Sequence, residues 1–267
     1  MNELYIYLKL IQLQAKAQIS DRGSFALRFV SKIFGWGSGF IMIWIMLYKF
    51  QSMAGWSPYE VLFLYTLNIF SYSIIATFLI NPCEKLPKFV QTGEFDGIIT
   101  KPVNSFFYYI FRIFSTGYFA NFTMCLVVLI ICINKLNIRM NAVNLLFLIA
   151  VLLGGALIQG GLFIFEAVPT FWIVKNDSLK GLLVGNFRSF IRYPLSIYNS
   201  AVQIFMTFII PYGFINFFPA QYFLKKNDFL MFNPVFQFLT PVVGIVFFAV
   251  AYCTWHIGVN HYEGSGS

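Results

Sequence analysis

Few groups in this 267-residue chain could do chemistry, and three of them, Arg112, Gln159 and Glu166, lie inside long apolar runs. An ionisable side chain in hydrocarbon is costly and usually marks a partner or a pathway. Arg112 follows Asn104 by eight residues and Glu166 precedes Val174 by eight. Continuous helices would therefore hold the two charges at matched depth, about 12 Å in at 1.5 Å per residue. Two readings stand side by side. One is a structural ion pair, or an Arg112 that snorkels to the headgroups; the other is a cavity for a polar part of a cargo. Gln159, seven residues before Glu166, shares its helical face. Other chemistry has little support. Cys83, Cys125, Cys132 and Cys253 lack zinc spacing, and His256 and His261 belong to no HExxH motif. No metal site is expected. A membrane-embedded enzyme would need a convergent set of acids, bases or nucleophiles near one interface. A secondary carrier would need more buried carboxylates and an internal repeat.

The elements that must position these groups follow from composition. Hydrophobic residues make up 59%, aromatic residues 20% and charged residues only 10%, with a mean hydropathy of +0.74. That describes an integral membrane protein. The apolar runs lack the period-two alternation of a barrel, so the fold class is all-α. Six transmembrane helices form a single domain over 1–267, at about 25–47, 59–81, 105–133, 143–174, 199–218 and 234–256. The third and fourth are longer than needed and should tilt or extend into the cytoplasm. No cleavable signal peptide is expected, because residues 1–20 lack an apolar core. Leu4, Leu8, Ile11 and Ala15 form one stripe and Lys9, Gln12 and Lys16 the next, as in a helix lying in the interface.

Basic residues set the orientation. With the N-terminus inside, the cytoplasmic parts hold Lys9, Lys16, Arg22, Arg28, Lys32, Lys85, Lys88, Lys101, Lys175, Lys180, Arg188 and Arg192, against Lys49, Lys135, Arg139, Lys225 and Lys226 outside. Both termini are then cytoplasmic. The net charge of +8 is accounted for by anionic lipid and requires no nucleic acid.

Between the second and third spans the segment EKLPKFVQTGEFDGIITKPVNS repeats apolar residues at helical spacing: Leu86, Phe89 and Val90, then Phe95, Ile98 and Ile99. Gly93 separates two short amphipathic helices, bracketed by Pro87 and Pro102. Such a helix suits either the groove of a soluble partner or the lipid surface. A second cytoplasmic helix is expected near 177–193, with Asp177 as N-cap, an apolar face beginning at Leu179, Leu182 and Leu183, and Arg188 and Arg192 on one side. It would touch either a partner or lipid phosphate. GWGSG at 35–39 and GGALIQGG at 154–161 mark tight packing or a dimer seam. Pro169 and Pro211 allow bends, and FFPAQYFLKKNDFLMFNP reads as an extracellular interfacial or re-entrant hairpin.

The ordered set of an interfacial N-terminal helix, GEFDGIITKPVNSFF, NFRSFIRYPLSIY, IIPYGFINFFPAQYFL and GVNHYEGSGS resembles permease subunits of the bacterial ABC-2 superfamily. The resemblance implies a type V exporter-like half-transporter of the bacterial inner membrane. It would pair with a second permease subunit, identical or different, and dock ABC ATPase subunits that bind ATP and Mg. It also implies that the loop after the second span is the coupling helix, assigning docking to Glu84, Lys85, Lys88, Glu94, Asp96 and Lys101 with Phe95 and Ile98 as its buried face. The chain has no G-x-x-x-x-G-K-[ST] loop, in agreement with a permease that is not itself an enzyme.

Overall fold

The computed structural model describes residues 3–20, 22–50, 52–173 and 182–262. The expected N-cap Asp177, Leu179, Lys175 and Lys180 lie outside the described residues, as do Asp21 and the terminal 263–267. Ten α-helices are described: α1 (Glu3–Ser20), α2 (Arg22–Phe50), α3 (Pro58–Gln91), α4 (Asp96–Ile99), α5 (Ser105–Ile113), α6 (Phe119–Lys135), α7 (Ala142–Ala167), α8 (Ser200–Ile204), α9 (Phe217–Leu224) and α10 (Thr240–Asn260). No strand occurs among the described residues. Among the described residues four helical stretches are long and apolar enough to cross a membrane: Pro58–Gln91, Thr116–Lys135, Ala142–Phe171 and Thr240–Asn260. A bent pair, Ser200–Ile209 with Tyr212–Leu224, passes the same criterion jointly, and α2 carries a shorter apolar stretch, Phe29–Ile45.

α3 is the central post. Ser57 and Glu60 cap its start reciprocally, with Ser57 N donating to Glu60 Oε2 at 2.7 Å. Its side chains from Val61 to Ser73 are almost all buried. α7 runs parallel to α3, since Gly155 faces Ser71 and Gly160 faces Ile75. α10 runs parallel to α7, with Gly154 against Thr240 and Gly161 against Phe247. The glycine run therefore serves packing within this chain. At the closest point Gly154 and Gly244 meet backbone to backbone: a Cβ on Gly154 would stand 2.7 Å from Thr240 O, and one on Gly244 would collide with Gly154 O. α10 starts level with the middle of α7.

The third expected span is not one helix. α5 stops at Ile113, the chain passes extended through Phe114 and Ser115, and a 3-10 turn at Thr116–Tyr118 leads into α6. Helix breaks strand backbone groups, and α1 supplies partners for these: Gln14 Nε2 donates to Arg112 O, Gln18 Nε2 to Phe114 O at 2.8 Å, and Gln18 Oε1 accepts from Thr116 N at 2.8 Å and Thr116 Oγ1 at 2.9 Å. α1 thus turns Gln14, Gln18 and Tyr7 toward α5, while Leu4 and Leu8 stay exposed. The excess length of that span is a separate helix rather than a tilt.

The fifth expected span is likewise no straight crossing. From Leu182 the chain forms a π turn and 3-10 turns to Ile197, and these climb alongside α3: Arg188 stacks on Tyr72, and Ser196 Oγ accepts from Trp56 Nε1 at 3.2 Å. Residues 200–209 then descend, and an 80° bend at Ile210–Pro211 turns the chain back into α9. α9 returns to the end it came from, where Tyr222 Oη donates to Asn144 Oδ1 at 2.7 Å and Lys226 pairs with Glu60 at 2.9 Å. Lys226 also lies 4.6 Å above the ring of buried Trp56, whose Nε1 donates to Asp228 Oδ2 at 2.8 Å. Pro211 thus stands at a sharp bend, and α9 is the opening stretch FFPAQYFL of the expected hairpin.

Gly244→Ala is expected to cost about 1–3 kcal/mol, because the methyl meets backbone that cannot yield. Gly35→Ala on the open face of α2, where nothing lies within 4 Å, should leave stability equal or slightly higher. Thermal unfolding of the two variants in detergent makes the comparison.

Candidate functional site

The charged ridge after α3 is built by the end of that helix. The first of the two short helices expected there is simply the last turns of α3, which runs on through Pro82 and Pro87 to Gln91. Thr92 closes it, with its N–H and its hydroxyl both donating to Lys88 O at 2.9 Å. Gly93 adopts φ +71°, a left-handed turn that glycine permits without strain. Phe95 N then donates to Phe89 O at 3.1 Å, folding the single turn of α4 back under α3.

Phe95 and Ile98 are fully buried within this chain. The Phe95 ring lies 5.3 Å from Phe171, 5.5 Å from Tyr262, 5.8 Å from Tyr109 and 6.1 Å from Trp255. Tyr109 in turn donates to Pro82 O at 2.8 Å. The expected apolar docking face is packed inside this chain as an internal anchor, covered by the rings of α5, α10 and the tail of α7. Outside stand the charges. Glu84, Lys85, Lys88, Glu94, Asp96 and Lys101 are all exposed, on the last turns of α3 and on either side of α4. The aromatic cage had no signature in the sequence, where its members are scattered among 34 Phe and 15 Tyr.

The intramembrane polar residues are not brought together as expected. Arg112 lies on the exposed side of α5 and forms no ion pair among the described residues. The two charges do not sit on continuous helices, because α5 ends one residue after Arg112. Glu166 Oε1 instead accepts from Leu183 N at 2.5 Å, capping the return segment. It faces a cavity of about 380 Å³ with Tyr72, Cys83, Glu84, Phe163 and Thr170, directly above the ridge. Gln159 Nε2 donates to Asn68 O at 3.2 Å, and with Asn68 and Ser71 it makes a buried polar layer between α7 and α3.

Arg188 is the residue most displaced from expectation. It is 8% exposed rather than on a surface helix, with its guanidinium carbon 3.7 Å from the centre of Tyr72 and 4.7 Å from that of Trp36. Cation–π contacts of this kind gain strength where water is excluded. The 3-10 geometry also separates it from Arg192, because residues four apart share a side only in an α-helix. Arg192 is exposed and lines a second cavity, between α2 and α3. Arg188 thus no longer counts toward the charges of a cytoplasmic loop. Among the described residues no three His, Cys, Asp or Glu side chains converge as a metal site would require.

Residues 34–266 match a family model described as ABC-2 family transporter protein. No match was found among curated proteins or solved structures.

Phe95→Ala should destabilise the folded chain by about 3–5 kcal/mol, as for large-to-small changes in a packed core. Asp96→Asn on the exposed rim should stay within about 0.5 kcal/mol of wild type. Equal melting behaviour of the two would remove the internal-anchor assignment.

Proposed function

This chain belongs to the ABC-2 transporter family, as the permease of an ABC transport system, and on that premise we propose that it is one half of an ATP-driven exporter. A multi-pass membrane protein without a phosphate loop needs its energy from elsewhere. ABC ATPase subunits would bind ATP and Mg on the cytoplasmic side of a bacterial inner membrane, and a second permease subunit would complete the pathway. Both termini and the ridge would then lie in the cytoplasm, with the Glu60–Lys226 end outside and α1 in the lipid interface.

The observation that carries the reading is the division of the ridge into an exposed charged rim and a buried ring anchor. The rim of Glu84, Lys85, Lys88, Glu94, Asp96 and Lys101 has the mixed charge of a transient protein contact. Phe95 connects that rim to three other helical segments, α5, the tail of α7 and α10. A push on α4 is then shared at once among them, because packed rings transmit displacement rather than absorb it. α3, continuous from Glu60 to Gln91, carries it to the opposite end. In this mechanism the permease performs no chemical step. Closure of the ATPase pair moves the ridge, and the helices around it change their packing.

Reversing the rim charges with Glu94→Lys and Asp96→Lys should reduce copurification of the ATPase subunit by about tenfold or more, since like charges would then oppose. Transport-linked ATP hydrolysis should fall with it while the melting temperature holds. Lys135→Glu, exposed at the far end, should change neither. Undiminished association and transport in the ridge double variant would remove this function for the segment.

A further inference from the structure

Three cations stand on one side of α3, none of them in an ion pair among the described residues. Arg188 is more than nine-tenths buried, yet it forms neither a hydrogen bond nor an ion pair among the described residues; its contacts are the faces of Trp36 and Tyr72. Lys32 donates to Tyr118 Oη at 3.3 Å and lies 4.3 Å from the centre of that ring. Arg192 is exposed and has no polar partner among the described residues. Lys32, Trp36, Tyr65 and Arg192 line a cavity of about 780 Å³ whose α2 wall also presents the hydroxyls of Ser31 and Ser38. Arg188 sits behind Trp36. The carboxylates nearest the group are Glu84, at the lower end beside Lys32, and Glu166, which is engaged with Leu183 N.

Uncompensated positive charge amid apolar helices is expensive and is retained where an anion is received. The rest of the cavity indicates what kind of anion. Along α2 the outward side chains Leu27, Phe34, Ile41 and Met42 are 60–74% exposed, and Leu27 and Met42 reach the cavity itself. An ion-binding pocket that opens on an apolar flank suits a molecule with both parts. We propose that this cavity binds the anionic headgroup, phosphate or carboxylate, of an amphiphile, with Arg192 and Lys32 on the charge and the α2 flank along its chain, and that this is the portion of the cargo the permease selects. The inference rests on the permease reading for the word cargo, but the binding site stands on its own geometry.

The test uses the full chain purified in a neutral maltoside detergent, and binding is read from tryptophan fluorescence and by native mass spectrometry. Dodecyl phosphate should bind at least about tenfold tighter than dodecyltrimethylammonium, the worth of one charge-assisted hydrogen bond. Arg192→Gln, at an exposed residue, should weaken dodecyl phosphate by about tenfold, and Lys32→Gln should do the same, while Arg188→Lys, behind Trp36, keeps most of the affinity. Trp36→Phe should remove the fluorescence response but not the bound mass. Equal binding of both detergents, or unchanged dodecyl phosphate affinity in Arg192→Gln and Lys32→Gln alike, would overturn the site. Inorganic phosphate binding as tightly as dodecyl phosphate would overturn the amphiphile. If dodecyl phosphate does not bind and Arg192→Gln instead releases a copurifying second permease subunit, the arginines belong to a subunit interface and the proposal fails. None of these readouts involves ATP hydrolysis, so a failure of the ridge to couple leaves them unmoved.

Discussion

Backbone groups freed inside an apolar bundle must find partners, because hydrocarbon offers none, and the architecture of this chain follows from how that demand is met. Where α5 ends, Gln14 and Gln18 of α1 take the loose carbonyls and the Thr116 amide. Where the return segment begins, Glu166 receives the Leu183 amide and Tyr212 donates to the Leu183 carbonyl. Asn216 Nδ2 bridges Ile191 O and Leu64 O, tying the hairpin both to that segment and to α3, and Thr240 Oγ1 donates to Phe214 O just past the bend. Each break is thus fastened to an element distant in sequence. The broken helices are built joints rather than loose ends.

Aromatic rings do the corresponding work for side chains. The cage around Phe95 converts a four-residue turn, too short to be stable by itself, into a fixed part of four helical segments. The Trp36–Tyr72 pair accepts Arg188, which has no ion pair among the described residues, and Trp56 accepts Lys226 above its ring while its N–H binds Asp228. Rings can serve both an apolar body and a charge, which gives a purpose to an aromatic content as high as 20%. The positions of these clusters divide the molecule functionally, with a charged rim at one end, a locked hairpin at the other and a cationic cavity between.

Composition and hydropathy alone determined that the chain is helical and membrane-embedded, because the cost of dehydrating the backbone leaves few other solutions. Local signals were equally readable: Gly93 as the break before α4, Gly154–Gly161 as a close-packing stretch, and the charged character of the segment with Glu94, Asp96 and Lys101. Each depends on residues within a few positions of one another. What only the tertiary structure decided depends on partners far along the chain. Hydropathy counts apolar residues without distinguishing a straight span from one broken at Phe114 or reversed at Pro211, since the side chains that satisfy those breaks lie up to about a hundred residues away. Periodicity marked Phe95 and Ile98 as one apolar face but could not say that Tyr109, Phe171 and Trp255 would cover it from inside. Arg188 looked like a surface charge because nothing near it in sequence announces Trp36 and Tyr72, and a guanidinium is buried only where folding brings such rings to it.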